Sequence, residues 1–204
     1  MSENSTQHAY VTWTKQRLDE MDAALASIAA KASHLSADAK VKATQLNADM
    51  KKRREDFEVE VKAHLKAGEA ALSAAKPQLE KLWASFEAEL KTYVETVGKD
   101  VDQKRATFAD IAAAQAAAWG EAAKKLQSAA AELGAENKAK VDKAIAKMRS
   151  DTTEAKAHLE KLKQAGGESW ATLSAALQTS RKKFDEASQS AWEALKNAAP
   201  AMKK

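Results

Sequence analysis

The sequence predicts an all-α fold: long helices packed side by side as an elongated antiparallel bundle or coiled coil, with three arms and a strong eleven-residue (hendecad) pattern. Three observations point there. Ala fills about a quarter of the 204 positions, while Gly and Pro, the two helix breakers, number only 6 and 2. Large apolar residues recur at helical spacing, and Ile, Val and aromatic residues never cluster with a period of two, as strands would require. Charge is dense but balanced, 33 basic against 29 acidic residues for a net +4, which suits helices sharing narrow seams rather than a chain too charged to fold. Leu, Ile, Val and Phe make up only about 15% of the chain, so the seams must be thin.

Residues 1–7 are expected to be a flexible lead-in, and residues 8–198 a single helical domain. The first arm, 8–75, opens on Val11, Thr14, Leu18, Met21, Leu25, Ile28, Ala32, Leu35 and Ala39. The spacing alternates three and four, a heptad seam. Lys42 interrupts it, and Leu46, Met50, Phe57, Val61 and Leu65 resume it. Pro77 is placed at the first position of the next helix, where its missing N–H is no loss. That second arm runs 77–133.

From about residue 86 the period lengthens. Phe86, Val97, Phe108, Trp119, Ala130 and Val141 are each eleven apart. A second row holds Leu90, Val101, Ala112, Ala123 and Ile145, and a third holds Tyr93, Leu126, Met148 and Leu159, interrupted by Lys104, Gln115 and Asn137. Eleven residues over three turns describe a straight helix or a slight right-handed supercoil, and equally describe ordinary bundle packing. The Ala-rich stretch Ala109–Trp119 permits the closest helix approach of the chain. Gly134 reads as a C-cap, starting a third arm over 136–198 with a kink at Gly166-Gly167, and 199–204 is a flexible tail. Each arm would span roughly 85–100 Å at the helical rise per residue. The rows stay in phase across Gly134, which supports a competing reading: one very long helix from Pro77 to Ala165.

The chain offers little chemistry. It has no Cys, hence no disulfide or thiolate. It lacks a nucleophile elbow, a phosphate loop and a dinucleotide fingerprint, so no catalytic, cofactor-binding or metal residues are assigned and the chain is read as non-enzymatic. His34 with Asp38, Glu60 with His64, and Glu154 with His158 are spaced as i,i+4 surface pairs rather than as the Glu-x-x-His of a di-iron bundle. Lys51-Lys52-Arg53-Arg54 is the one basic cluster, and Glu55, Asp56, Glu58 and Glu60 follow to neutralise it. Without a polybasic segment a nucleic-acid role is not expected. No apolar run is long enough for a membrane span. Met1–Tyr10 lacks the basic and apolar regions of a signal peptide, so a cytoplasmic location is expected.

The aromatic residues are the candidates for interaction: Trp13, Trp83, Phe86, Tyr93, Phe108, Trp119, Trp170 and Trp192, five Trp against two Tyr. In thin helices the indoles are expected to lie partly exposed, able to grip a partner protein or an apolar surface. Trp119 is the exception, placed in the seam among small residues, while Trp13 lies off its own seam.

The eleven-residue amphipathic pattern resembles the exchangeable apolipoproteins, which differ in punctuating their helices with Pro. Ala122-Ala123-Lys124-Lys125 and Glu154-Ala155-Lys156-Ala157 look similar to the eleven-mers of late-embryogenesis-abundant proteins, in which Trp is rare. The Ala- and Lys-rich, Cys-free, helical composition as a whole resembles the phasins, which coat polyester granules. The residues themselves point to a structural or scaffolding protein that self-associates or docks another helical protein along its seams. The resemblances imply an amphipathic coat on a lipid or polymer-granule surface, or a stress-protective helical protein.

Overall fold

A computed structural model describes residues 3–31, 35–131, 135–164 and 170–198 of the chain. The fold is all-α. Six helices follow one another: α1 (Glu3–Lys31), α2 (Ala37–Ala67), α3 (Glu69–Val97), α4 (Val101–Ala130), α5 (Ala135–Gln164) and α6 (Trp170–Ala198). They are 29 to 31 residues long. Among the described residues there is no strand.

The helices break more often than the three expected arms provide for. Within 8–75 the chain leaves α1 at Lys31 and α2 at Ala67. Gly68 makes the second break, with φ at 93°, a conformation that costs residues with a Cβ dearly. This overturns the role given to Pro77, which lies inside α3 rather than at its start. The helix continues past it on an exposed face, giving up one backbone hydrogen bond, with Ala75 and Leu79 buried on either side.

The second arm is also divided. Gly98, Lys99 and Asp100 form a tight turn between α3 and α4, which rules out one continuous helix from Pro77 to Ala165. The Gly98 N–H donates to the Val94 carbonyl at 3.2 Å, closing α3. The Asp100 carboxylate accepts from the Gln103 N–H at 2.8 Å, and the Gln103 side chain accepts from the Lys99 N–H at 3.1 Å. That is a capping box in all but the identity of one donor. Gly134 and the expected kink at Gly166-Gly167 lie outside the described residues, between α4 and α5 and between α5 and α6.

The chain divides into two compact units, one formed by Arg17–Gln115, the other by Met1–Gln16 together with Ala116–Lys204. In the first, α2 packs against α3; in the second, α5 packs against α6. Helices α1 and α4 each supply residues to both units.

The helices also repeat. Glu3 to Val101 and Ala37 to Ala135, the starts of α1 and α4 and of α2 and α5, are each 98 positions apart. The buried residues recur at that same offset of 98: Thr14, Arg17, Met21, Ala24, Leu25 and Ile28 on α1 against Ala112, Gln115, Trp119, Ala122, Ala123 and Leu126 on α4. Ala43, Met50, Phe57 and Val61 on α2 correspond to Val141, Met148, Ala155 and Leu159 on α5. Leu79, Trp83, Phe86, Leu90 and Tyr93 on α3 correspond to Leu177, Arg181, Phe184, Ser188 and Ala191 on α6. All of these positions are buried, so Glu3–Val97 and Val101–Ala198 share much of one burial pattern, although Ile111 and Ala116 are buried where Trp13 and Leu18 are half-buried. Fourteen heptads make 98 residues, so the offset keeps the buried stripes of corresponding helices in register.

Candidate functional site

The aromatic residues singled out in the sequence are mostly inside the protein. On α3, Phe86 and Tyr93 are fully buried and Trp83 nearly so, its ring stacked on Phe86 at 5.9 Å between centroids. Phe108 on α4 is buried as well. Trp119 has no exposed surface and stacks on Phe184 of α6 at 5.2 Å, the planes 20° apart. Its cluster is made largely of alanines, Ala116, Ala122, Ala123, Ala155, Ala187 and Ala191 among them, with Leu126, Val141, Ile145 and Met148. Small side chains leave the space that the indole fills.

Partial exposure, expected of the indoles, therefore does not hold for Trp83. Trp13 is half-buried. Trp170 begins α6 and Trp192 lies within it, and their side chains are outside the described residues.

Two of the buried rings carry an unused polar group. The Tyr93 hydroxyl and the Trp119 indole N–H have no hydrogen-bond partner among the described residues. Burial pushes the Tyr93 phenol up from its ordinary pKa, so it stays protonated. A buried donor without a partner costs roughly 1–3 kcal/mol.

The arrangement that sequence reasoning missed is an ion pair in the interior. On α1 the Arg17 guanidinium meets the Glu20 carboxylate one turn on, and the two side chains are 2% and 0% exposed. The guanidinium also lies over the Trp83 ring, 5.1 Å from its centroid. The buried stripe of α1 thus runs through Thr14, Arg17, Met21 and Ala24, and Leu18, expected in the seam, is only half-buried. Charged residues ordinarily read as surface, so the pattern gave no sign of it. The i,i+3 spacing of Arg17 and Glu20 beside the apolar row was the one available signal.

On the surface, ionic contacts tie neighbouring helices together. From the basic cluster on α2, Arg53 Nε donates to Glu89 of α3 at 2.9 Å. Arg54 forks onto Asp22 of α1, at 2.8 and 3.0 Å, and also pairs with Glu58. The hydrogen bond to Glu89 raises the pKa of Arg53, and the one to Asp22 raises that of Arg54. The cluster is thus a set of inter-helix ties, with Lys51 and Lys52 left exposed. In the other unit Lys183 of α6 bonds both oxygens of Glu154 at 3.2 and 3.3 Å, and Gln16 Nε2 donates to Asp185 at 3.1 Å. Of the three expected histidine pairs, His64 lies 3.2 Å from Glu60, Glu154 bonds Lys183, and His34 lies outside the described residues.

Among the described residues no three His, Asp or Glu side chains gather as a metal site would require, and no helix is long and apolar enough to cross a membrane. The arrangement can hold helices in register and present small and charged side chains outward. No family model, curated relative or solved structure matches this chain.

Proposed function

We propose that this is a non-enzymatic structural protein that works through its helical surfaces, associating with copies of itself or with another helical protein. The observation that carries this reading is how the large side chains are used. Trp83, Phe86, Tyr93, Phe108 and Trp119 are spent on internal packing, and the outer faces carry charge in i,i+4 and i,i+3 pairs such as Lys138–Asp142, Lys140–Glu136 and Lys124–Glu121. Such faces recognise other helices by charge pattern, and pair weakly enough to assemble reversibly. Sedimentation velocity across a wide concentration range tests it. A weight-average mass that climbs with concentration, and falls back in high salt, is expected. A single monomeric boundary throughout refutes the self-association reading.

One observation favours a second reading, a coat on a lipid or polymer-granule surface. The Tyr93 hydroxyl and Trp119 N–H, unpartnered inside, are groups suited to a boundary between water and an apolar phase. An opened bundle would place them there. Co-sedimentation with phosphatidylcholine vesicles, read through Trp fluorescence, separates the two. Pelleting with a change in emission supports the coat, and neither change rejects it.

A further inference from the structure

The turn at Gly98–Asp100 joins the two halves of the repeat and is built to close tightly. A Cβ on Gly98 would come within 2.8 Å of the Lys104 backbone nitrogen and 2.9 Å of its Cα, closer than atoms can pack, so only glycine allows this closure. Asp100 caps α4, and the Lys104 ammonium reaches back 2.5 Å to Glu95 on α3.

The sequence on either side nonetheless follows a different geometry. Leu90, Tyr93, Val97, Val101, Lys104 and Phe108 are spaced three, four, four, three and four apart, the positions of one stripe on a helix that runs straight through residues 98–100. In the closed chain four of them are buried, but Val101 is 66% exposed, one of three such large apolar residues among the described residues. The turn takes it off the stripe.

The halves on either side share many buried positions at an offset of 98 residues. They also meet within the compact units: Lys31 Nζ lies 2.5 Å from Asp110, and Gln16 bonds Asp185. A second copy of the chain carries both halves and can supply the same contacts.

We propose that Gly98–Asp100 is a hinge, and that this protein self-associates by opening it. Helices α3 and α4 then run on as one helix, Val101 joins the stripe, and the second half of each chain docks on the first half of its partner. The partner is a second copy of this chain, and the contacts exchanged are those already made within one chain. The inference rests on the self-association reading and specifies how it occurs.

The chain has no Cys, so single cysteines report without background. A Lys31→Cys chain and an isotopically distinct Asp110→Cys chain are mixed, unfolded, refolded at high concentration and treated with a short bismaleimide. The expected product is a dimer linked between position 31 of one chain and position 110 of the other. Asp100→Ala removes the cap that favours the turn and should tighten dimerisation about fivefold per chain. Gly98→Ala blocks the closed turn and favours the helix, and should act in the same direction. Should Gly98→Ala fail to fold, Asp100→Ala, which alters only the cap, carries the test. Val101→Glu, harmless where Val101 is exposed, should leave monomer melting unchanged and abolish the dimer. A dimer without the 31–110 link, or one indifferent to Asp100→Ala and Val101→Glu, overturns the hinge while leaving self-association standing. No dimer in any variant overturns both.

Discussion

The two halves of this chain bury many of the same positions and fill them differently. Where α1 has Met21, α4 has Trp119, and where α2 has Phe57, α5 has Ala155. The second half thus concentrates its bulk at one place, with Trp119 and Ala155 in one cluster. Where the first half sets Arg17 and Trp83, the second has Gln115 and Arg181. The periodicity of burial belongs to the backbone, to helices of nearly constant length with a fixed offset. The identity of each side chain answers only to its neighbours, provided the volume is filled.

The largest effect that tests this contrast is at the interior ion pair. Arg17→Met alone takes the guanidinium away from a buried carboxylate and should lower stability by roughly 3–5 kcal/mol. The double change Arg17→Met with Glu20→Leu should recover most of that, since a buried pair often contributes little more than well-packed apolar side chains. Urea denaturation of the three proteins decides it. A double variant as weak as the single one would mean that Trp83 depends on the guanidinium itself.

Trp119→Ala should cost roughly 3–5 kcal/mol, the usual range for an aromatic removed from a core. Trp119→Met, which installs the residue found at the equivalent position of the first half, should cost clearly less. If the two cost the same, the correspondence between Met21 and Trp119 is one of position only. Trp13→Ala, at a half-buried site, should cost about 1 kcal/mol.

The inter-helix surface ties should matter less. Asp22→Ala, which removes the fork from Arg54, should cost below about 1 kcal/mol and less still in high salt. Thermal melts at low and high ionic strength measure this directly.

The smallest effect concerns acid. Hydrogen bonds from Lys62 and from Arg54 hold the Glu58 carboxyl below its ordinary pKa. A group depressed in the folded state stabilises above its unfolded value, and that contribution disappears as the pH falls through the folded one. Stability should therefore decline slightly more between neutral and strongly acidic pH in the native protein than in Glu58→Gln. Parallel slopes for the two would show that solvent screens the pair completely.

Helix, and little else, was legible in composition. Row membership also carried real information, since Phe86, Val97, Phe108, Trp119, Ala130 and Val141 are all buried. What the rows concealed was the turn among them. Val97 and Phe108 lie on different helices, yet eleven residues separate them as though they shared one. A turn that keeps the count of whole helical turns leaves no trace in the period. Local chemistry did mark it, in the Gly98 stop and the Asp100 and Gln103 cap. Pro77 misled in the opposite sense, because an exposed proline can sit inside a helix at the loss of one bond. The interior pair of Arg17 and Glu20 stayed hidden because its stability depends on α3, which supplies Trp83 from 66 residues away.

The repeat at 98 residues has a consequence for how the protein can change. In a symmetric pair of separate short chains, every substitution is made twice and must suit both places at once. Here each is made once. A tryptophan can be tried at position 119 while position 21 keeps its methionine, and an arginine can enter at 17 without a second charge at 115. Joining the halves through three residues has given each freedom to drift on its own, held only by the requirement to fit the other.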